Sequence, residues 1–366
     1  ENILYFLIVF MIAKKLKIGM VSPFPPKNDG IAIYSNNLLE NIKSKIEVVR
    51  IGDMESSAEY KIDFTSFSLK RKLWHISQKE HLDILHIQYV PTLFGKYNLN
   101  INLINALNIK TKTIITLHEV HYEQQNLKEI ILSKIEKEIV KRATKVIVHT
   151  PAQKRFMEER YNAKNIVCIY QGLNIINSKG KKRGHNILFF GYITPLKGIH
   201  YLIRAMNYLP KYKLKIAGHI PKGVELKYKD MLITEIKDNR LDNRINLDIQ
   251  WIPEDIKMEY FKWANIVVLP YVWAPYQSAV LHDAVGYGLP VIVTKIGSLF
   301  EIVEIFKFGE IVPPHQPMIL AERIKKIYRD YESYTKGITD YQELANWQNI
   351  GNEYISLYNS IMNVGK

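Results

Sequence analysis

Ser278 and Asp283 lie in the stretch of this chain best suited to chemistry, LPYVWAPYQSAVLHDAVGYGLPVIVT from Leu269 to Thr294. Ile266–Leu269 is a short β-branched run that ends at Pro270, as a buried parallel strand would. A polar loop from Tyr271 to Gln277 follows, and Ser278 is placed to cap a helix over Ala279–Tyr287. Gly288 stops that helix, and Val291–Thr294 is the next strand. Such a unit aims the first N–H groups of the helix, at Ala279 and Val280, beyond the strand ends. Their partial positive charge makes that spot suited to a diphosphate. Asp283, about one turn further in, is placed to accept bonds from sugar or ribose hydroxyls. The same residues also read as a plain βαβ unit with no ligand.

A second group has the same character. FFGYITPLKG (Phe189–Gly198) reads as strand, glycine turn and helix start. Gly191 lets backbone pass close to a ligand, and Lys197 can reach an anion. DILHIQY (Asp83–Tyr89) and TLHEVH (Thr116–His121) both end strands with histidines directed at one presumed cleft. They make His86, His118, Glu119 and His121 candidates. A solitary strand-end histidine is more often structural; two at the same end of neighbouring strands favour a site.

These residues need a parallel framework, and the rest of the chain supplies it. Strand-like runs alternate with helix-length segments almost throughout. The first set is Lys17–Val21, Glu47–Ile51, Ile84–Gln88, Thr113–Leu117, Lys145–His149 and Ile166–Ile169. The second is Ile187–Phe190, Lys213–Ala217, Ile245–Leu247, Ile266–Leu269, Val291–Thr294 and Glu310–Val312. The polar, basic stretch 177–186 reads as a linker. The spacing predicts an α/β protein of two doubly wound, Rossmann-like domains, 1–176 and 187–340, facing a cleft. A terminal helix in 341–366, with Trp347, would return towards the first domain.

Composition narrows the partners. The 366 residues are 47% hydrophobic and 23% charged, enough for a large core and unlike a disordered chain. The single cysteine, Cys168, excludes an intrachain disulfide framework and fits a reducing, cytoplasmic setting; IVCIY around it reads as buried strand. Abundant Ile, Lys and Tyr hint at a thermophile. Residues 1–183 hold 29 Lys+Arg against 17 Asp+Glu, whereas residues 184–366 hold 21 against 19. A basic first half suits an anionic acceptor or peripheral attachment to an anionic membrane face, or serves solubility alone. No zinc knuckle, helix-turn-helix or RNP-like pattern supports nucleic acid. Ile3–Ala13 is apolar but too short to span a bilayer. With Lys14, Lys15 and Lys17 behind it, it reads as an interfacial anchor, or as sequence preceding a natural start at Met11.

In order and spacing, these motifs resemble the family 4 retaining glycosyltransferases of the GT-B fold, from about Lys17 to the terminal helix. DAVGYGLPVI (Asp283–Ile292) is similar to the family's E-A-x-x-x-G-x-P-V-I. Pro270, Tyr271, Gln277, Ser278, Ala279, Val280 and Leu281 resemble a subclass reading PY…QSG-V-L. The resemblance implies a nucleotide-diphospho-sugar donor, a UDP- or GDP-sugar, and a glycan or lipid-linked acceptor. It puts Lys197 on the diphosphate, Asp283 on the ribose and His118 on the donor sugar. It also places Gly30, Gly191, Tyr192, Gly218, Gln277, Ser278, Ala279 and Val280 at the donor, with backbone bonds from Trp251 or Ile252 to the base. Three departures stand out: Asp29 replaces a glycine, Tyr192 an arginine, and Pro275 the first glutamate of the family's pair.

Metal, cofactor and other chemistries find no pattern. There is no D-x-D, cysteine pair or H-E-x-x-H, no G-x-S-x-G, and no G-x-G-x-x-G after the first strand. The expectation is a retaining transferase needing neither metal nor cofactor. The rivals are a non-catalytic nucleotide-sugar-binding partner and a GT-B nucleotide-sugar 2-epimerase.

Overall fold

The computed structural model describes residues 15–27, 29–95, 100–122, 127–176, 184–221 and 227–363. The apolar run 3–13, Lys14, Asn28 and linker residues 177–183 lie outside them. The first half is a seven-stranded sheet in the order β3-β2-β1-β4-β5-β6-β7, every pair parallel. Its strands are β1 (Lys17–Val21), β2 (Glu47–Gly52), β3 (Tyr60–Lys61), β4 (Ile84–Tyr89), β5 (Lys112–Leu117), β6 (Lys145–Val148) and β7 (Ile166–Cys168). The helices between them are α1 (Gly30–Ile42), α2 (Leu69–Lys79), α3 (Ile101–Ala106), α4 (Leu127–Arg142) and α5 (Pro151–Tyr161).

The second half is a six-stranded parallel sheet in the order β10-β9-β8-β11-β12-β13. It contains β8 (Asn186–Phe190), β9 (Lys213–Gly218), β10 (Ile245–Ile249), β11 (Ile266–Leu269), β12 (Val291–Thr294) and β13 (Gly309–Val312). Around it lie α6 (Ile199–Ala205), α7 (Lys227–Asp238), α8 (Glu254–Trp263), α9 (Ala279–Gly286), α10 (Glu301–Phe306) and α11 (Pro317–Arg329). Helices α12 (Thr335–Ala345) and α13 (Trp347–Asn363) close the chain. Central strands such as β11 and β12 are buried at every position, which is why they read as unbroken β-branched runs.

In both sheets the strand order reverses beside the first strand, between β1 and β4 and between β8 and β11. Loops diverge there and leave a crevice beyond the carboxyl ends. The two sheets turn these ends towards each other. Val120, just after β5, donates its N–H to Pro275 O, just after β11, at 2.8 Å, and Glu119 and Tyr276 form an antiparallel bridge.

The terminal segment departs from the single helix expected over Tyr341–Met362. Asn346 is extended, with φ −63° and ψ 147°, and separates α12 from α13. That break turns the chain back to the first half. Leu173 N–H donates to Ala345 O at 2.8 Å and Trp347 N–H to Leu173 O at 3.3 Å. α13 then lies against α1: Tyr34 Oη and Tyr354 Oη are 2.7 Å apart, and Trp347, Ile350 and Tyr358 join the core around β1, β4 and β5. A Cβ on Gly172 would fall 2.4 Å from the Trp347 ring, so glycine is required for this packing. Among the described residues, no helix is long and apolar enough to cross a membrane.

Candidate active site

Lys197 occupies a short 3-10 turn, Pro195–Lys197, at the β8–β11 crevice. Gly198 at φ 63° separates it from α6, so it precedes the helix instead of sitting in its first turn. A Cβ on Gly198 would strike Pro270 O, which locks this turn against the loop after β11. Lys197 is 8% exposed, and its Nζ lies 3.6 Å from the Tyr271 ring centre and donates to Tyr276 Oη at 2.9 Å. Burial lowers its pKa to about 7. No carboxylate among the described residues pairs with it, so the ammonium is free to meet an incoming anion.

Tyr271 also reaches the start of α9. Ser278 is the N-cap residue, but its side chain makes no cap bond; its Oγ lies 3.3 Å from Tyr271 Oη. The capping role expected of that hydroxyl is therefore not observed. The first N–H groups of α9, Ala279 and Val280, have no carbonyl one turn back within the helix. Val280 also approaches Gly191, whose φ is 128°; a Cβ there would lie 3.8 Å from its Cγ2. Gly218, at φ 144°, would drive a Cβ to 1.8 Å from Gly191 O. Both glycines are thus required for β8 and β9 to end side by side at the helix.

Asp283 is not a free carboxylate. Lys257, from α8, places Nζ 3.0 Å from its Oδ2 and 3.3 Å from Glu254 Oε1. Burial raises the Asp283 pKa and Lys257 opposes the rise. Lys257 joins the candidate site through this ion pair, and sequence reading missed it, since nothing in its local pattern marks its distant partner. At the rim, Tyr192, His219 and Trp251 form an aromatic row with ring centres 4.9 and 5.2 Å apart. Trp251 is 51% exposed, so it does not pack the domain interface; Ile252 beside it is buried.

On the opposite wall, Asp29 accepts from Ala32 N at 2.8 Å and caps α1. That accounts for an aspartate where a glycine was expected. Gly30 opens the helix with no protein atom within 4 Å of a Cβ position, so the protein itself does not demand glycine there. Tyr192 has its pKa raised by burial and by the charge of Asp29 across the cleft.

His118 follows β5 and is 8% exposed; its Nε2 donates to Gln88 Oε1 at 2.8 Å, leaving Nδ1 as the acceptor. Burial first, then His149 and His86, holds its pKa well below the ordinary value. His86 departs from expectation. It is fully buried, with Nδ1 2.7 Å from Tyr358 Oη and Nε2 2.8 Å from Thr116 Oγ1. In the middle of β4 it faces the core under α13, not the cleft, and reaches His118 only through Gln88, 3.3 Å away. Gln88 sits two residues after His86, on the same sheet face, and that period-two spacing was the available signal for it. His121 is also held within the protein, with Nδ1 2.6 Å from Glu136 Oε1 and Nε2 3.8 Å from Glu119 Oε2. Gln277 Nε2 donates to Ser298 O at 2.5 Å. No group of three His, Cys, Asp or Glu side chains among the described residues is arranged to hold a metal.

Two facing doubly wound parallel sheets with an anion-ready crevice define a GT-B architecture. Residues 33–175 match the profile of glycosyltransferase family 4, and residues 174–341 that of glycosyl transferases group 1. The chain belongs to this family of GT-B glycosyltransferases. An uncharacterized glycosyltransferase of Methanocaldococcus jannaschii is 31% identical over 183 residues, 48% of this chain and 45% of that one. The match thus spans less than half the length of that relative. Sucrose-phosphate synthase from Thermosynechococcus elongatus shares the fold with TM-score 0.76 and 20% identity, covering 96% of this chain and all of that one. HepE of Anabaena, solved in complex with UDP and also with UDP-glucose, gives 0.76 and 17% for the UDP complex, over 94% of this chain and 100% of its own.

Proposed function

We propose that this protein is a retaining glycosyltransferase that takes a sugar from a nucleotide-diphospho-sugar, without a metal, and delivers it to a glycan or lipid-linked acceptor. One observation carries the reading. At the switch point of a parallel sheet, a buried lysine with no carboxylate partner packs on the ring of Tyr271, whose hydroxyl lies 3.3 Å from the N-cap Ser278 of α9. Lys197 and the N–H groups of Ala279 and Val280 stabilise the departing diphosphate as preorganised positive charge. The bond from the sugar's anomeric carbon to the diphosphate oxygen breaks, and the electron pair leaves with the diphosphate. The acceptor oxygen attacks from the same face and gives its proton to the departing phosphate. Asp283, oriented by Lys257, receives the ribose hydroxyls, and the row Tyr192–His219–Trp251 borders the base. His118 faces the donor sugar.

The HepE complexes with UDP and UDP-glucose support the donor class. A thermal-shift panel of UDP-, GDP-, ADP- and TDP-sugars tests it, because ligand bound to the folded state raises the apparent melting temperature. One base series should stabilise the protein above the others. A flat panel counts against the reading, and epimerised donor without an acceptor present would replace it with an epimerase.

The acceptor-side surface supports attachment to an anionic membrane. α2 reads LKRKLWHISQK and exposes Lys70, Arg71 and Trp74, with Phe67 exposed just before it. Basic heads beside aromatic rings suit the headgroup layer.

A further inference from the structure

Four buried side-chain atoms among the described residues have no hydrogen-bond partner: Asn102 Oδ1, His149 Nε2, Gln277 Oε1 and Glu301 Oε2. Each is an acceptor or can act as one, and the last three belong to residues joined by one chain of hydrogen bonds across the junction of the two halves. The links between them are short. His149 N–H donates to Gln153 Oε1 at 2.8 Å, and Gln153 Nε2 donates to Ser298 Oγ at 3.1 Å. Gln277 donates to Ser298 O at 2.5 Å, and the Glu301 N–H donates to the same carbonyl at 3.3 Å. Glu301 has local company, since its Oε1 accepts from Tyr122 and its carboxylate lies against Thr150 and Ala152 at the start of α5. In His149 and Gln277 the bonds are made through other atoms, which leaves Nε2 and Oε1 unpartnered.

Their orientations follow from partners that can only accept. The His149 Nδ1 lies 2.9 Å from Ile169 O, so it carries the proton and Nε2 keeps its lone pair. Burial lowers the His149 pKa to about 4, which keeps the ring neutral near pH 7. The Gln277 nitrogen must face Ser298 O, so its oxygen is the open end. The His149 ring is 5.2 Å from His118, itself an acceptor through Nδ1, and 5.5 Å from Tyr34. Meanwhile the carbonyl of Pro275, where the family's glutamate would stand, is occupied by Val120 N–H.

Buried acceptors left without donors carry a desolvation penalty unless something supplies hydrogens. Gln277 directly precedes the N-cap of α9, where the reading above puts the diphosphate, and His149 is near enough to His282 on that helix to act on its charge, so the next group along the donor comes close to both residues. A pyranose presents several O–H donors on a compact ring. We propose that His149 Nε2, together with Gln277 Oε1, accepts hydroxyl hydrogens from the transferred sugar, which makes His149 a sugar-selecting residue in place of the missing glutamate. This rests on the nucleotide-sugar reading above.

The test uses the full chain and compares the ratio of the UDP-glucose to the UDP dissociation constant by calorimetry, with GDP-mannose and GDP as the parallel pair. His149→Asn keeps an N–H for Ile169 O but deletes the Nε2 acceptor. His149→Gln brings an amide oxygen to that position. The expected result is a ratio about tenfold higher in the Asn variant, with nucleotide affinity unchanged, and a return towards wild type in the Gln variant. An unchanged ratio in His149→Asn, or equal loss in both variants, overturns the proposal, and melting curves confirm folding. Wild-type protein that binds none of the UDP-, GDP-, ADP- and TDP-sugars would instead overturn the donor reading itself.

Discussion

The Lys197 ammonium stands 3.6 Å from the centre of the Tyr271 ring, out of water and with no anion beside it. Its pKa in the folded protein is about 7 against 10.5 for the free side chain. Between those values the unfolded chain binds more protons than the folded one. Ligand-free stability from this group therefore rises as pH climbs from about 7 towards 10.5, and is lowest below 7. A bound diphosphate favours the charged lysine. At pH 8 donor binding should take up protons, and affinity should decline as pH rises above 7. Binding heats measured in buffers of different ionisation enthalpy report the uptake directly. Zero uptake would separate Lys197 from the phosphates.

Lys197→Ala should lower turnover by on the order of a hundredfold, the usual loss for one preorganised charge donor, with weaker donor binding and intact folding. Steady-state kinetics beside a melting curve decide this. Wild-type rates would remove the residue from the site.

The Lys257–Asp283 pair, 3.0 Å apart, should act as one unit. Asp283→Ala should weaken donor binding by roughly 1–3 kcal/mol, as for bonds to a charged group. Asp283→Glu keeps the charge and should be tolerated. Lys257→Met should also weaken binding, since its carboxylate partner loses its cation. The double mutant should lose less than the sum of the two single losses. Strict additivity would show that Lys257 does not orient Asp283.

Gln88 links the buried His86 to His118, and Gln88→Leu removes the acceptor that fixes the His118 ring. Turnover should fall by up to about a hundredfold, the scale of a misplaced group, with the donor KM little changed. Gln88→Glu retains an acceptor and should recover part of the loss. Equal activity in wild type and Gln88→Leu would make the link structural.

Adding EDTA should leave transfer unchanged if protein groups alone supply the positive charge. Activity lost to EDTA and restored by Mg²⁺ or Mn²⁺ would contradict the mechanism.

Vesicles rich in phosphatidylserine should co-sediment with the protein at low salt and release it near 1 M, where the Debye length is about 3 Å. Neutralising Lys70 and Arg71 should weaken this by about 1 kcal/mol per site. Salt-insensitive binding would mean the basic face is not responsible.

The sequence made the sheets legible because buried parallel strands are short apolar runs, β-branched in β11 and β12, so β1, β11 and β12 were bounded to the residue. β3 escaped because Tyr60–Lys61 is too short to carry a period. The glycine turns and Lys197 were readable from local motifs. Lys257 and Tyr276 were not, because their roles exist only through partners brought close by folding. His86 misled for a related reason: a histidine in a strand of six buried residues can face the core as readily as the strand end. Asn346 carried a signal that the reading passed over: asparagine is a favoured N-cap, and its Oδ1 accepts from the Asn349 N–H at 2.9 Å, which starts α13 afresh on an extended residue.

That return means two stretches of chain cross between the halves side by side, bridged at Leu173 and Asn346. Two bodies joined by a single tether can swivel, twist and drift apart. Joined along a pair of adjacent crossings, they behave like covers on a spine, and the easy motion is opening and shutting about one axis. On such a spine His118 and Gln88 belong to one cover and Lys197 and α9 to the other, and the bonds Val120–Pro275 and Gln153–Ser298 hold the covers shut in a fixed register. Alignment of the site is then inherited from the backbone and need not be searched for anew in each turnover.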